Sequence, residues 1–302
     1  MRSSLFGILI LLTTTVPAAE LRFMSFNLWH GGDAGKQPLE QTAKVIRAAK
    51  ADVVGLQEVA GLAPAGTARP DNGAKLAELL GWHYQRQTAS TGILSRFPIK
   101  APLGKEKQGA VLTLERGDVA LFNVHLAHKP YQPYQLLSIP YVDSPPLKTA
   151  DEAIESATKA RGGQVRELLA AVEESKAAVQ IVTGDFNEPS ARDWAAESVA
   201  AKLCPLVVAW PTTKAVEAAG FVDAFRKVHP DPVKTPGITW TPITKPDDPK
   251  DHHDRIDFVF VRGPVKIVAA EVVGEAPERA DLVVTPYPSD HRAVVVTLEL
   301  TP

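Results

Sequence analysis

The sequence has little cysteine, little net charge and, after its first residues, no long apolar segment. Its 302 residues include one cysteine, Cys204, and carry a formal net charge of −2. A single cysteine excludes a small scaffold held by disulfide bonds, and a chain of this length can bury a core without them. The near-neutral charge argues against binding of long nucleic acids mainly through clustered Lys and Arg. We expect no stable membrane insertion of the mature chain and no obligate protein partner.

The most apolar run of the sequence lies at its N-terminus. Arg2 is followed by the apolar residues 5–12 and then by the sequence Val-Pro-Ala-Ala at 16–19. A positive charge, a short apolar run and small residues in this order are typical of a cleaved secretory signal. We therefore predict a signal peptide over residues 1–19 and a single mature domain over residues 20–302, secreted or periplasmic. A first buried helix or strand is the alternative.

Short runs rich in Val, Ile, Leu and Phe are separated by clusters of Gly, Pro and Asp, which predicts the strands of a buried sheet. The predicted strands cover residues 21–28, 52–56, 119–124, 179–182, 256–261, 265–273 and 292–300. Apolar residues at helical spacing predict helices over residues 39–50, 73–80 and 151–175. Strands alternate with helices early in the chain and follow one another directly near its end. This order favours a mixed sheet system over a purely parallel one.

Two long segments, 129–147 and 230–254, have no clear periodicity. Long loops in compact domains are usually functional or disordered. The first segment contains Tyr131, Tyr134 and Tyr141, which are three of the five tyrosines in the chain. We therefore expect it to be an ordered loop that covers part of the domain.

Acidic, amide and imidazole side chains lie at the ends of the predicted strands or within them. These residues are Asn27, Glu58, His125, Asp185, Asn187, Asp257, Asp290 and His291. Asp185 and Asn187 project to the same side because side chains alternate along an extended segment. In a sheet with antiparallel neighbours, the end of one strand and the start of the next lie at the same edge. These groups can therefore meet in one cleft.

Several carboxylates in one cleft need a compensating positive charge, because burial of unpaired charge is strongly unfavourable. Glu58, Asp185, Asp257 and Asp290 therefore imply a bound cation, a shared proton or a histidinium. Hard oxygen ligands suit Mg²⁺ or Mn²⁺ better than zinc. An imidazole beside a carboxylate favours its charged form, which suits a phosphoryl oxygen that gains negative charge in the transition state.

Six short segments follow one another along most of the chain. They are Ser25-Phe26-Asn27, Leu56-Gln57-Glu58, Asn123-Val124-His125-Leu126, Gly184-Asp185-Phe186-Asn187, Asp254-Arg255-Ile256-Asp257 and Ser289-Asp290-His291. Together and in this order they resemble the signature set of the endonuclease/exonuclease/phosphatase superfamily, the group related to pancreatic deoxyribonuclease. The resemblance implies an α/β (α+β) fold, a four-layered sandwich of two packed mixed β-sheets flanked by helices. It also implies a divalent-metal phosphoesterase site at one edge.

The resemblance further implies metal-binding and water-activating residues. Glu58 would hold the ion, Mg²⁺ or Mn²⁺, with Asn27 and Asp290 as direct or water-mediated ligands. Asp185 would orient or deprotonate the attacking water, and Asn187 would donate to the phosphate or to the nucleophile.

Three further residues complete the catalytic set that the resemblance implies. Asp257 would fix His291 through a carboxylate–imidazole hydrogen bond and leave the other ring nitrogen for a phosphate oxygen. His125 would contact the phosphate on the leaving-group side.

Four residues are candidates for substrate binding, each with a structural alternative. Tyr131 and Tyr134 could stack on a base or pack their own loop. Arg161 interrupts the apolar stripe of the predicted helix 151–175 and could face the site or lie at the helix edge. His253 could contact phosphate, add a second metal position or belong to a surface loop.

Three functions remain open from the sequence. We expect first a secreted, metal-dependent phosphodiesterase acting on nucleic acids or nucleotides, because deoxyribonuclease-like activity is common among secreted members of the superfamily. The alternative is a phosphatase or phosphodiesterase acting on lipid head groups, of the inositol phosphate or sphingomyelin type, or on small organic phosphates. The segment 123–128 favours this alternative because it also resembles a strand of inositol polyphosphate phosphatases. A binding module that has lost catalysis is the third reading.

Overall fold

The structure is a computed structural model of the chain, which describes residues 20–115 and 117–300. The predicted signal peptide over 1–19 lies outside the described residues. Among the helices that are described, none has both the length and the apolar character that a bilayer crossing requires.

Two mixed β-sheets lie face to face. The seven-stranded sheet contains, in spatial order, β12 (Leu282–Val283), β11 (Val265–Gly274), β13 (Ala293–Leu300), β1 (Glu20–Asn27), β2 (Val53–Gln57), β4 (Thr91–Ser95) and β3 (His83–Arg86). The six-stranded sheet contains β5 (Ile99–Leu103), β6 (Gly109–Leu114), β7 (Gly117–His125), β8 (Val179–Asp185), β10 (Asp257–Arg262) and β9 (Val222–Asp223). Each sheet has one central parallel pair, β1 with β2 and β7 with β8.

Helices cover the outer faces of the two sheets. Their bounds are α1 (Leu39–Ala48), α2 (Asn72–Leu80), α3 (Gln132–Leu137), α4 (Ala150–Glu174), α5 (Ala196–Ala200), α6 (Pro211–Ala218) and α7 (Ala224–Val228). α1 and α2 share a buried cluster with the first sheet, and α4 and α6 share one with the second. The expected four-layered sandwich is therefore confirmed.

Because successive side chains of a strand point to opposite faces of its sheet, one strand can pack against two layers of the sandwich. In β1, Phe23 is buried between the sheets with Val53 and Leu121, whereas Met24 and Phe26 pack toward α1 and α2. Burial of each such side chain stabilises the fold by about 1.5–3 kcal/mol. A strand buried on both faces reads as a nearly continuous apolar run, which is why β1 was predictable.

The N-terminus of the longest helix, α4, is stabilised by local hydrogen bonds. Thr149 Oγ1 accepts the backbone N–H of Glu152, and the Glu152 carboxylate accepts the backbone N–H of Thr149. This capping box satisfies N–H groups that have no partner within the helix. The helix predicted over 151–175 is confirmed as Ala150–Glu174.

The sequence-based prediction of elements was incomplete between 83 and 114 and wrong about part of one loop. β3 and β5 lie at sheet edges with partly exposed side chains, so neither has the long apolar run of a central strand. The segment 129–147 contains the short helix α3, Gln132–Leu137, which was expected to be irregular. Helices of one to two turns give too little periodicity to be recognised.

A polar layer joins the two sheets beneath the edge that carries the candidate residues. Gln57 Nε2 donates to Asn123 Oδ1 at 2.6 Å, and Asn123 Nδ2 donates to the carbonyl oxygen of Leu56 at 2.9 Å. Thr183 Oγ1 donates to Asn123 Oδ1 at 3.2 Å. A Cβ at Gly55 would lie 2.0 Å from Thr183 Oγ1, so only glycine allows the sheets to approach this closely.

Candidate active site

Strand register brings three of the predicted residues side by side. His125 at the end of β7 lies opposite Asp185 of β8, and Asp185 lies opposite Asp257 at the start of β10. Asp185 and Asp257 are 1% and 0% exposed. The Nε2 atom of His125 lies 3.5 Å from Asp185 Oδ2. Two buried acids are thus held on neighbouring strands, about 4.8 Å apart, with an imidazole on the third.

His291 joins this row from the other sheet. Its Nδ1–H donates to Asp257 Oδ2 at 2.9 Å, and its Nε2 lies 3.8 Å from Asp185 Oδ2. Burial alone would lower the pKa of His291, but the carboxylates of Asp257 and Asp185 outweigh it and raise the pKa to about 10. His291 therefore carries a positive charge at neutral pH. We call His125, Asp185, Asp257 and His291 the strand-end cluster.

Glu58 lies directly after β2 and is linked to the strand-end cluster through Asn27. Glu58 Oε2 accepts the backbone N–H of His30 at 2.9 Å, and Oε1 lies 3.4 Å from Asn27 Nδ2. Asn27 Nδ2 also donates to Asp185 Oδ2 at 3.0 Å. Burial would raise the pKa of Glu58, but the charge of His125 and the His30 N–H outweigh it and lower the pKa. Glu58 is therefore an ionised carboxylate.

Asn27 presents its amide N–H groups, rather than its oxygen, to the carboxylates. Its Oδ1 accepts the backbone N–H of Trp29 at 2.9 Å, which fixes the orientation of the amide. A direct or water-mediated contact of Asn27 with a metal ion stays a prediction. In the structure Asn27 orients Glu58 and Asp185.

Asn187 is held close to Asp185 by its own backbone. Its N–H donates to Asp185 Oδ1 at 2.9 Å, and its Nδ2 donates to the carbonyl oxygen of Leu126 at 3.1 Å. Asn187 has a left-handed conformation with φ 48°. The amide is therefore fixed beside the general-base candidate before any ligand binds.

Asp290 is the clearest sign that the residues fit a cation. Its buried Oδ1 meets no hydrogen-bond donor in the described part of the chain. Burial raises the pKa of Asp290 to about 6, and the charges of Glu58 and Asp185 raise it while His291 opposes them. A hard divalent cation would relieve this repulsion, and carboxylate oxygens are the donors it prefers.

A second set of acids and imidazoles could also be considered as metal ligands. Ligand atoms of Asp185, Asp257 and His291 lie within 4.8 Å of one another. The His291–Asp257 hydrogen bond already uses one atom of each partner. Asp257 Oδ1, like Asp290 Oδ1, meets no hydrogen-bond donor in the described part of the chain, whereas both oxygens of Asp185 and of Glu58 accept hydrogen bonds.

A tight left-handed turn follows Asn27 and forms one rim of the site. Trp29, His30, Gly31 and Gly32 have φ values of 53°, 54°, 68° and 86°. The turn directs the N–H of Trp29 to Asn27 and the N–H of His30 to Glu58, which itself has φ 53°. This conformation costs a non-glycine residue about 1–2 kcal/mol, and such strain concentrates at functional sites. We call residues 29–32 together with Glu58 the left-handed rim.

Arg161 has a structural role, which corrects its assignment as a substrate-binding residue. Its guanidinium is 0% exposed. It donates to the carbonyl oxygens of Ala127 and Pro130 and to Gln132 Oε1, at 2.8, 2.9 and 2.7 Å. Arg161 therefore fastens the covering loop to α4.

Tyr131 and Tyr134 also hold this loop in place, whereas His253 bonds within the segment 230–254. The Tyr131 hydroxyl is buried and donates to Asp254 Oδ2 at 2.7 Å, and the Tyr134 hydroxyl donates to Asp251. His253 Nε2 lies 2.8 Å from Thr244 Oγ1. Both tyrosines thus pack their loop, as the structural alternative predicted, so base stacking by Tyr131 is wrong. The loop is ordered and its rings pack edge to face, with centroids 5.1 Å apart.

Sequence reasoning missed several groups beside the cluster. Tyr141 is half-buried and its ring packs edge to face on Tyr134, and burial together with the charges of Asp185 and Glu58 raises its pKa. Trp240 forms a β-bridge with His291, and the two ring centroids lie 6.4 Å apart. The tyrosine content of segment 129–147 was a signal for Tyr141. Trp240 had no local signal, because a long loop separates it from every strand motif.

Ser90 was also missed. Its Oγ lies 3.1 Å from Nδ1 of His125, while Nε2 of the same ring faces Asp185. The hydroxyl can either donate to Nδ1 or accept from it, so it can serve both charge states of the imidazole. Ser90 therefore orients the ring of His125 within the cluster.

Comparison with known proteins agrees with this geometry. The sequence profile described as the Endonuclease/Exonuclease/phosphatase family matches residues 24–291. An uncharacterized protein of Caenorhabditis elegans, F14F9.5, is 30% identical over 299 residues, which cover 91% of this chain and 90% of that protein.

Solved structures share the fold. An AP endonuclease from Archaeoglobus fulgidus superposes with a TM-score of 0.55 at 15% identity and covers 91% of this chain and 98% of its own. The 3′ phosphatase NExo from Neisseria, bound to a product DNA hairpin, gives a TM-score of 0.55 at 17% identity, with the same two coverages. At such identities these likenesses establish the fold alone. The profile match over residues 24–291 contains all six signature segments. Members of the family hydrolyse phosphoester bonds. The chain therefore belongs to the Endonuclease/Exonuclease/phosphatase family.

Proposed function

We propose that this chain is a secreted, divalent-metal-dependent phosphodiesterase that hydrolyses nucleic acids or nucleotides. The observation that carries the proposal is the grouping of several carboxylates around one positively charged imidazole. Glu58, Asp185 and Asp290 converge beside His291, whose pKa is raised to about 10 by its two acidic neighbours. A binding module would gain nothing from this costly grouping of buried charges.

Glu58 and Asp290 would hold the cation, with Asp185 at its edge. Asn27 would keep Glu58 and Asp185 oriented through the two bonds from its amide. When bound, Mg²⁺ or Mn²⁺ would offset the negative charge that develops on the phosphate and on the leaving oxygen.

The protein residues divide the remaining tasks. Asp185 would orient the attacking water and accept its proton, assisted by the amide of Asn187. His291 would donate Nε2–H to a phosphate oxygen, because Asp257 occupies its Nδ1. His125, whose Nδ1 is held by Ser90, would contact the phosphate through Nε2. Preorganised donors of this kind stabilise developing charge without reorganisation.

Nucleic acid is favoured over other esters by two features. Two solved structures that share this fold are an AP endonuclease and a 3′ phosphatase bound to a product DNA hairpin. Half-buried Trp240 and Tyr141 lie beside the catalytic groups, and aromatic faces of this kind stack on bases at a gain of about 1–3 kcal/mol per base.

A second candidate substrate class is supported by a cleft beside His125. It has a volume of about 250 Å³ and is lined by uncharged polar side chains, among them Gln87, Thr88 and Ser90, and by the carboxylates of Glu106 and Glu167. Such a lining suits the hydroxyl groups of a small head group. Esters of inositol phosphate or sphingomyelin type, or small organic phosphates, are therefore the alternative.

A substrate panel with a chelator control tests the function. The mature chain is freed of metal, supplied with Mg²⁺, Mn²⁺ or Ca²⁺, and offered plasmid DNA, single-stranded DNA, sphingomyelin vesicles and inositol phosphates. We expect Mg²⁺ or Mn²⁺ to release acid-soluble nucleotides from DNA faster than phosphate or phosphocholine from the other esters. The reverse order would favour the alternative, and no metal-stimulated hydrolysis of any ester would contradict both.

Secretion is tested separately. We expect the protein exported by its native cell to lack the signal peptide and to begin at Ala19 or Glu20, as read by mass spectrometry of its N-terminal peptide. Retention of Met1 in an intracellular protein would contradict this part of the proposal.

A further inference from the structure

An exposed arginine is fixed beside the left-handed rim without an acidic partner. Arg69 lies in the loop between β2 and α2. Its Nε donates to the carbonyl oxygen of Gly61 at 2.7 Å and its Nη2 to that of Ala60 at 2.6 Å. Within the described ranges no carboxylate forms an ion pair with it. These two bonds to backbone carbonyl oxygens fix the position of the guanidinium.

The third bond of Arg69 leads to the catalytic carboxylates. Its Nη2 lies 3.1 Å from Nδ1 of His30. A guanidinium can only donate, so Nδ1 of His30 is the acceptor in this contact. The same Nδ1 lies 3.4 Å from Glu58 Oε2. The guanidinium is therefore separated from a predicted metal ligand by one imidazole ring.

The loops that carry these residues are tied together. Leu62 N–H donates to Asp33 Oδ2 at 2.7 Å, and Asn72 Nδ2 donates to the carbonyl oxygen of Gly31 at 3.0 Å. A Cβ at Gly31 would lie 2.9 Å from the backbone nitrogen of Gly61, so the turn and the loop are in close contact. The guanidinium is thus positioned before a substrate arrives, which reduces the entropy lost on binding.

Arg69 retains unused hydrogen-bonding capacity. Three of its five N–H donors are used by the carbonyl oxygens and by His30. The two donors on Nη1 meet no acceptor among the residues that the structure describes. A planar pair of donors with a full positive charge is the group that binds phosphate most specifically.

We propose that Arg69 binds a second phosphate of the substrate, next to the phosphate that is hydrolysed. His30 is a positioning residue that fixes the guanidinium. The proposal rests on the proposed function and narrows it, because it selects substrates with at least two phosphates, as in a nucleic acid strand. A head-group ester with one phosphate has no second phosphate for Arg69 to bind.

Two dinucleotides test this directly. Thymidylyl-(3′,5′)-thymidine has only the phosphate to be hydrolysed, and the same dinucleotide phosphorylated at both ends has a neighbour on each side. We expect Arg69→Gln to lower kcat/KM for the doubly phosphorylated form at least about tenfold, mainly through KM, and to change that of the plain form less than about twofold. Arg69→Lys should restore part of the loss. Arg166→Gln, an exposed change on α4 with the same loss of charge, should affect neither.

An equal loss on both dinucleotides, or no loss on the phosphorylated one, would overturn the proposal. Calorimetric binding of thymidine 3′,5′-bisphosphate supplies a readout that needs no hydrolysis. We expect Arg69→Gln to weaken its binding at least about tenfold. If the wild-type chain cleaves neither dinucleotide, the proposed function is contradicted. The role of Arg69 is then decided by the calorimetric binding of the bisphosphate alone. Unchanged binding in the variant overturns it.

Discussion

The strand-end cluster and the left-handed rim face the same cleft but are positioned by different physical constraints. His125, Asp185 and Asp257 are aligned by the register of hydrogen-bonded strands, so their spacing is fixed by the sheets. Glu58 and its donor His30 are aligned by residues with positive φ, which side chains adopt at a cost. In the proposed function, proton transfer and charge stabilisation belong to side chains aligned by strands, whereas the cation and a second phosphate are bound by loop residues.

The largest effect is expected from changes in the strand-end cluster. Asp185→Asn and His291→Ala should each lower kcat at least about a hundredfold, because single general-base or charge-stabilising groups contribute losses of this size. Steady-state hydrolysis of a phosphodiester with saturating metal measures this, with circular dichroism as the control for folding. Near wild-type rates in both variants would refute the cluster as the catalytic centre.

The variant Glu58→Gln should distinguish the task of the left-handed rim, cation binding, from that of the strand-end cluster. We expect turnover to fall about a hundredfold at limiting metal and to recover in part as Mg²⁺ or Mn²⁺ is raised, because the change weakens cation binding. Asp185→Asn should show no such recovery. A metal titration of both variants provides the comparison. Identical, metal-independent losses would mean that Glu58 and Asp185 do not have separate tasks.

The polar layer beneath the cluster should be sensitive to added volume. Gly55→Ala places a Cβ against Thr183 Oγ1, and such overpacking should lower the free energy of unfolding by about 1–3 kcal/mol. Gly163→Ala on α4 is the matched control, because its Cβ has only a flexible Arg166 atom nearby at 3.9 Å. Urea denaturation measures both, and helix propensity predicts unchanged or increased stability for the control. Equal stability of both variants would contradict the close approach of the sheets.

The smallest effect concerns the carboxylate repulsion itself. In the absence of metal, Asp290→Asn should raise the Tm by a few degrees, because it removes one of several buried negative charges. Added Mg²⁺ should raise the Tm of the wild-type chain more than that of the variant, since a ligand stabilises only the state that binds it. A lower Tm for the variant in chelator would show that Asp290 is satisfied without a cation.

Sequence alone predicted the strand-end cluster because its residues terminate apolar runs. The alternation of β8 placed Asp185 in the interior, and the mixed strand order brought its neighbours to the same edge. The rim could not be predicted, since a left-handed conformation is uncommon for Trp29 and Glu58. The backbone preferences of these residue types favour negative φ, whereas the structure gives them positive φ.

Long-range contacts account for the other errors. The burial of Arg161 depends on carbonyl oxygens of a loop more than thirty residues earlier in the chain. An isolated basic residue in an apolar stripe reads equally well as a site residue or a surface residue. Likewise, the partner of the Tyr131 hydroxyl, Asp254, is 123 residues away in sequence and belongs to a signature segment. Its role as an anchor for the covering loop is visible only in three dimensions.

Hydrolysis of bis(p-nitrophenyl) phosphate by metal-free protein, with Mg²⁺ or Mn²⁺ returned, tests the central claim most directly. This ester has no base, sugar or second phosphate, so its cleavage depends on the catalytic groups alone. We predict activity that requires added metal and is lost at least about a hundredfold in Asp185→Asn, as expected for a group that acts in the transition state. Hydrolysis that persists in chelator, or that Asp185→Asn leaves unchanged, would contradict the account.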